Sequence, residues 1–221
     1  MQLGHQLHAF LWESMTVNNC NTYFIDGPTR ILIDPGHADL FDHVVCGLQE
    51  LGVTPDDIDL ILCTHAHPDH IEAIKLFKDT DTLITIHEAD WQFLKSLANN
   101  NHSLLNVELD GMAPSYFIKE GYFAVEGLEL EVLNTPGHSP GSITLYQPAE
   151  KVLFTGDLVF KEGFGRVDFP GGDGELLKAS IKRIAGIDAE WMLPGHGDII
   201  SGAGAVRKNF EELESFYFRY I

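Results

Sequence analysis

Thr64-His65-Ala66-His67-Pro68-Asp69-His70 places three imidazoles and one carboxylate within a few positions of one another. The stretch follows the apolar run Ile58-Asp59-Leu60-Ile61-Leu62-Cys63 and precedes the amphipathic run from Ile71 to Phe77, so it spells strand, loop, helix. A strand set in a rigid sheet holds the loop behind it in fixed directions. His65 and His67, two apart in an extended segment, point to the same side, whereas Asp69 and His70 begin the helix and face elsewhere. One pair plus another pair predicts two metal ions. Nitrogen and oxygen donors without cysteine suit zinc, iron or manganese better than a structural thiolate site. The bland alternative is a chance cluster: the chain has 11 histidines, and a lone histidine on an apolar strand is usually a packed, hydrogen-bonded side chain. Density argues against it. Desolvating three imidazoles and a carboxylate side by side is costly unless a cation or a tight hydrogen-bond network satisfies them.

The chain around this stretch has 221 residues, 44% hydrophobic and 21% charged, an ordinary globular composition needing no staples. Thirty-three acidic residues against 14 basic ones give a formal charge of −19. Such a surface repels phosphate backbones and anionic membranes, so neither nucleic acid nor membrane is an expected partner. Cys20, Cys46 and Cys63 show no close pairing, and Cys63 reads as a small core residue. Residues 1–10 lack a signal-peptide pattern, and no apolar run approaches the ~18 residues of a membrane span. A reducing, cytoplasmic setting is the default expectation.

In chain order, short apolar runs at 2–12, 21–25 and 30–34, with a turn at Asp26-Gly27-Pro28-Thr29, predict a hairpin-rich opening. Asp34 is either a turn initiator or a carboxylate that orients a ligand histidine. His37 reads as a surface or packing residue. Helical spacing from Leu40 to Leu51 closes at Gly52. A strand is expected at 83–86 and a helix at 89–97. His87-Glu88 is a weak metal signal, because no second histidine follows four residues on. Asn99-Asn100-Asn101-His102 marks a loop, and the region to Pro114 is a connector or a lid. Further strands are expected at 128–133, 142–146, 151–157 and 191–193, with helices at 175–185 and 205–217. Phe210, Leu213, Phe216 and Tyr217 form a stripe that belongs to the core or to an oligomer face.

Three of these later strands run into a ligand-type residue: His138 on a loop stiffened by flanking Pro/Gly pairs, Asp157 after Thr155-Gly156, and His196 after Pro194-Gly195. With the first cluster, their order resembles the metallo-β-lactamase superfamily, over residues 34 to 197. Gly156-Asp157-Leu158-Val159-Phe160, followed by Gly165-Arg166-Val167-Asp168-Phe169-Pro170-Gly171-Gly172-Asp173, is similar to the small glyoxalase II-like (hydroxyacylglutathione hydrolase-like) members. The resemblance implies an α+β chain folded as an αββα sandwich, two mixed β-sheets flanked by helices. It also implies two divalent cations, zinc first and iron or manganese otherwise. His65, His67 and His138 would bind one, Asp69, His70 and His196 the other, and Asp157 would bridge them. Full-length glyoxalase II enzymes add a helical domain that contacts glutathione; here only residues 197–221 follow the last histidine, so a single domain over 1–221 is expected.

The implied chemistry is hydrolysis. Two cations about 3.5–4 Å apart share a water and lower its pKa toward neutrality, with Asp69 and Asp157 as the carboxylates at the reacting centre. A leaving thiolate needs little acid help, since free thiols have pKa about 8.5, so thioesters suit the site. Lys161 and Arg166, basic residues just after Asp157, are candidates to bind an anionic thioester; the alternative for Arg166 is a structural ion pair with Asp168. Rival readings are a mononuclear iron persulfide dioxygenase, and a lactone or phosphodiester hydrolase on the same centre. A homo-oligomer is compatible with the aromatic stripe.

Overall fold

The computed structural model describes residues 1–99 and 109–221. β1 (Leu7–Phe10), β2 (Thr22–Asp26) and β3 (Arg30–Ile33) form the antiparallel opening, with the expected turn between β2 and β3. The chain then alternates helix and strand. α1 (Asp42–Glu50) leads to β4 (Leu60–Leu62), α2 (Pro68–Ile71) to β5 (Leu83–His87), and α3 (Glu88–Asn99) precedes β6 (Tyr116–Ile118). Strands β3 to β6 pair in parallel, which completes a mixed six-stranded sheet in sequential order.

The second sheet begins as the antiparallel strands β7 (Gly121–Val125), β8 (Leu128–Asn134), β9 (Ile143–Gln147) and β10 (Val152–Gly156). A small ribbon, β11 (Val159–Phe160) with β12 (Gly163–Phe164), and α4 (Gly174–Ile184) follow. β13 (Trp191–Pro194) then returns parallel to β10, β14 (Ile200–Ser201) pairs antiparallel to β13, and α5 (Ala203–Glu212) ends the regular helices. This sheet is also mixed.

Side-chain alternation makes the sandwich. Successive strand residues face opposite ways, so Ile31, Ile33, Leu60 and Leu62 meet Leu130, Val132, Leu145 and Phe154 of the other sheet. The intervening Leu32 and Ile61 turn outward under Val44 and Leu48 of α1 and Leu94 of α3. On the far side Leu153 and Met192 pack under Leu177, Ile181 and Ile184 of α4 and Val206 and Phe210 of α5. The architecture is the expected α+β sandwich, helices outside and two mixed sheets within.

Two expectations need correction. The stripe Phe210, Leu213, Phe216, Tyr217 does not stay on one face: Phe210 and Leu213 are buried, but Phe216 is exposed. A π-turn over Leu213–Tyr217 adds a residue to the helical repeat, which rotates Phe216 away from the core. The segment between Pro114 and Leu128, for which the sequence reading names no strand, contributes β6 and β7, edge strands of the two sheets. Of the loop expected at Asn99 to His102 and the connector or lid expected on to Pro114, residues 100–108 lie outside the described residues, and Asn99 ends α3.

Candidate metal centre

The seven residues expected as ligands lie on the segments that follow β4, β8, β10 and β13 and meet at one edge of the sandwich. Parallel pairing of β10 with β13 brings Gly156 and Pro194 side by side, so Asp157 and His196 emerge together. Across the sandwich Ile143 donates to the Thr64 carbonyl at 2.9 Å, and Asn21 to the Gly195 carbonyl at 2.7 Å. Close approach is needed here. Gly156 adopts φ +48°, and a Cβ on it would lie 2.5 Å from Thr64 Oγ1.

Pro68 opens α2, where its fixed φ and missing N–H suit the first turn. His67 before it is extended (φ −73°, ψ 146°), as a residue preceding proline prefers. Asp69 and His70, in the first turn of the helix, gather with His196 rather than with His67, although the His70 ring also lies close to that of His65. The His65 ring centroid is 4.8 Å from that of His67 and 4.0 Å from that of His70. His65, His67 and His138 present ring nitrogens within 4.8 Å of one another; so do the donor atoms of Asp69, His70 and His196. Asp157 stands between the two groups. Its Oδ1 is 3.3 Å from His70 Nε2, and its Oδ2 is 3.5 Å from His138 Nε2 and 3.4 Å from His196 Nε2.

Hydrogen bonds behind the rings decide which nitrogen keeps a lone pair. The Asp34 carboxylate accepts from Thr64 N (2.7 Å), Thr64 Oγ1 (2.6 Å) and His70 Nδ1 (2.9 Å). Thr64 Oγ1, having given its proton to Asp34, accepts from His65 Nδ1 at 3.1 Å. The Arg166 carbonyl accepts from His138 Nδ1 at 2.7 Å. His65 and His138 therefore hold their protons on Nδ1 and turn bare Nε2 atoms inward, and His70, its Nδ1 held by Asp34, turns Nε2 toward Asp157. His65 Nε2 and Asp157 Oδ1 are buried without a hydrogen-bond partner. His67 Nδ1 faces His138 Nε2 at 2.7 Å. Lone pairs and carboxylates aimed at one another repel, and divalent cations among them would satisfy all of them, so these residues fit such ions. Of the two readings of Asp34, the geometry favours the orienting carboxylate; its φ of +54° is a strained conformation for a non-glycine residue.

Electrostatics describe the same demand. Burial, then His70 and His138, push His65 well below the ordinary imidazole range, and burial with His138 pushes His67 down to about 4. Burial also disfavours charge on His196, but Asp157 and Asp69 outweigh it and raise the group to about 9. Burial opposes ionisation of Asp157, yet His70 and His196 hold it well below the usual carboxylate range. Protons on imidazole thus supply the positive charge that cations would otherwise bring. In the chelator-stripped chain, the raised His196 contributes stability that is complete below its unfolded pKa near 6.5 and lost as pH rises through about 9. Urea unfolding of stripped protein should therefore show a loss on the order of 1–3 kcal/mol between pH 6.5 and 9.5. Metal-loaded protein should show no such loss, because cations replace those protons.

The centre opens into a cleft whose walls include Phe160, Phe169 and Arg166 on one side and Asn18 and His37 on the other. Phe169 packs edge-on against His67 at 5.7 Å, and the Arg166 guanidinium sits 4.1 Å over the Phe169 ring. Arg166 also makes the two-pronged ion pair with Asp168 expected as its alternative reading, at 2.9 and 2.7 Å, while lining the cleft. Lys161 is paired with Asp198 at 2.7 Å and is not among the cleft's lining residues. His37, expected at the surface or in packing, instead lines the cleft with Nδ1 2.9 Å from Glu72 Oε2. His87 and Glu88 join no metal-ligating group among the described residues.

Sequence reasoning also missed the asparagines. Asn18 donates to Asp69 Oδ2 (2.7 Å), Asn19 accepts from the His37 amide (2.8 Å), and Asn21 donates to the carbonyls of Pro194 (3.1 Å) and Gly197 (2.9 Å). Their signal was three amides within Asn18-Asn19-Cys20-Asn21, a density that a plain connector does not need.

Comparison with known proteins agrees with this geometry. The metallo-beta-lactamase superfamily profile matches residues 15–196. A probable metallo-hydrolase of Methanocaldococcus jannaschii is 35% identical over 187 residues, covering 81% of this chain and 88% of the relative. The hydroxyacylglutathione hydrolase GloC of Haemophilus influenzae is 32% identical over 190 residues, 84% of each chain. A protein whose crystal structure was solved in a di-iron-bound form superposes with a TM-score of 0.69 at 32% identity, over 84% of this chain and 91% of that one. With the sandwich, the strand-end histidines and the profile in agreement, this chain belongs to the metallo-beta-lactamase superfamily and is a metal-dependent hydrolase.

Proposed function

We propose that the chain hydrolyses thioesters, as a hydroxyacylglutathione hydrolase-like enzyme. His65, His67 and His138 would hold one divalent cation, Asp69, His70 and His196 a second, and Asp157 would contact both. The observation that carries this reading is the position of Asp157, one carboxylate within 3.5 Å of imidazoles from both groups. The cations, when bound, supply Lewis acidity and a water of lowered pKa.

The chain's own residues do the rest. Asp34 and Thr64 keep His65 and His70 in the tautomer that presents Nε2, and the Arg166 carbonyl does the same for His138. Burial disfavours charge on Asp69, but its hydrogen bond with His196 keeps it ionised, so it stands in the cleft as an anionic hydrogen-bond acceptor. Phe160 and Phe169 flank the centre and exclude water from the acyl group, and Arg166 meets an anionic substrate at the mouth. A thiolate leaves without protonation near neutral pH. Thioesters therefore place the least demand on this set of groups.

The activity for which GloC is named, a relative of which this chain covers 84%, supports the thioester reading. Zinc is the first expectation, and iron the second, because a similar protein holds two irons. Elemental analysis of protein purified without added metal, followed by a substrate panel on that sample, tests the proposal. About two equivalents of metal with thioesterase activity is the expected result. One iron with oxygen uptake on a persulfide would replace the proposal with the dioxygenase reading.

A further inference from the structure

His65, His67 and His138 come from loops on different sheets, one after β4 and the other between β8 and β9, and something must set the distance between them. Asp90, in the first turn of α3, touches both loops. It is fully buried. Its Oδ2 accepts from Ala66 N at 2.7 Å and from Ser139 Oγ at 2.7 Å, and its Oδ1 accepts from Gly141 N. Ala66 lies between the first two histidines, and Ser139 follows the third. Gly141 makes the approach possible: a Cβ there would lie 2.5 Å from Asp90 N and 2.9 Å from Oδ1. The other group has supports beyond Asp90, with Asn18 on Asp69 and Asp34 directly on His70; Asp34 also reaches His65 through Thr64, but none of the second group's three side chains is bonded to Asp90.

We propose that Asp90 is a positioning residue for the three-histidine group alone, a bracket that joins its two loops and sets the affinity of that one cation position. The inference rests on the metal assignment above. A buried carboxylate with three donors is hard to replace, because removing it leaves buried N–H and O–H groups unpaired on both loops at once. Loss of a partner that orients metal ligands typically costs about 10–100-fold in metal affinity.

The test is competition of zinc between a chromophoric chelator and the stripped full-length chain, resolved into two dissociation constants, with urea unfolding run in parallel. In Asp90→Asn, which keeps one acceptor oxygen, one constant should weaken by about 10–100-fold while the other stays within about threefold. Ser139→Ala removes a single bond to Asp90 and should weaken the same constant by a smaller factor; it serves as the readout should Asp90→Asn fail to fold. Cobalt substitution should show the visible bands of only one position altered. Equal weakening of both positions, or of neither, in the variant that folds would overturn the bracket while leaving the metal assignment standing. Wild-type chain that takes up fewer than two cations would overturn the metal assignment, and the bracket with it.

Discussion

Asp157→Ala should lower kcat/KM for thioester hydrolysis by about 10³-fold or more, equivalent to about 4 kcal/mol of transition-state stabilisation. Among the described residues Asp157 is the one carboxylate that reaches His70, His138 and His196 together, so its loss uncouples the two groups rather than weakening one. Asp157→Asn separates charge from shape. The amide can occupy the same space but carries no negative charge, and a drop close to that of alanine would assign the effect to charge. Metal content should fall below two equivalents in both variants. Steady-state kinetics with metal analysis checks the prediction; activity within tenfold of wild type at full metal content would refute the bridging role.

Phe154→Ala should destabilise the fold by about 3–5 kcal/mol in urea unfolding, with the slope unchanged. Phe154 is fully buried on β10 between the sheets, edge-on to Tyr23 at 5.5 Å, and the Tyr23 hydroxyl donates to the Pro194 carbonyl at 2.7 Å. The ring therefore fills the core and supports the ring that ties β2 to the end of β13. Its removal leaves a cavity that strands held on both sides cannot close. Two residues after Phe154 the strand reaches Gly156, so the same variant should weaken the second cation position as well as the fold. A loss under about 1 kcal/mol would mean that the sheets collapse into the space, contrary to the rigidity inferred for the site.

The sequence by itself singled out the candidate donors. His65, His67, Asp69, His70, His138, Asp157 and His196 are legible because each follows a short apolar run, and where a run ends in a sheet is a local property of the chain. The alternation along β8, where Leu128, Leu130 and Val132 are buried while Glu129 and Glu131 are exposed, is local in the same sense. Tertiary structure alone decided the supports. Asp90 reads in the sequence as an ordinary acid in the first turn of a helix, and its role comes from donors 24, 49 and 51 positions away. His37 read as a surface or packing residue until the cleft formed beside it, and Phe216 kept helical spacing while a π-turn moved it to the surface. Hydrophobic periodicity records which face of an element is covered, whereas a hydrogen bond between loops depends on distances that exist only once both sheets have packed.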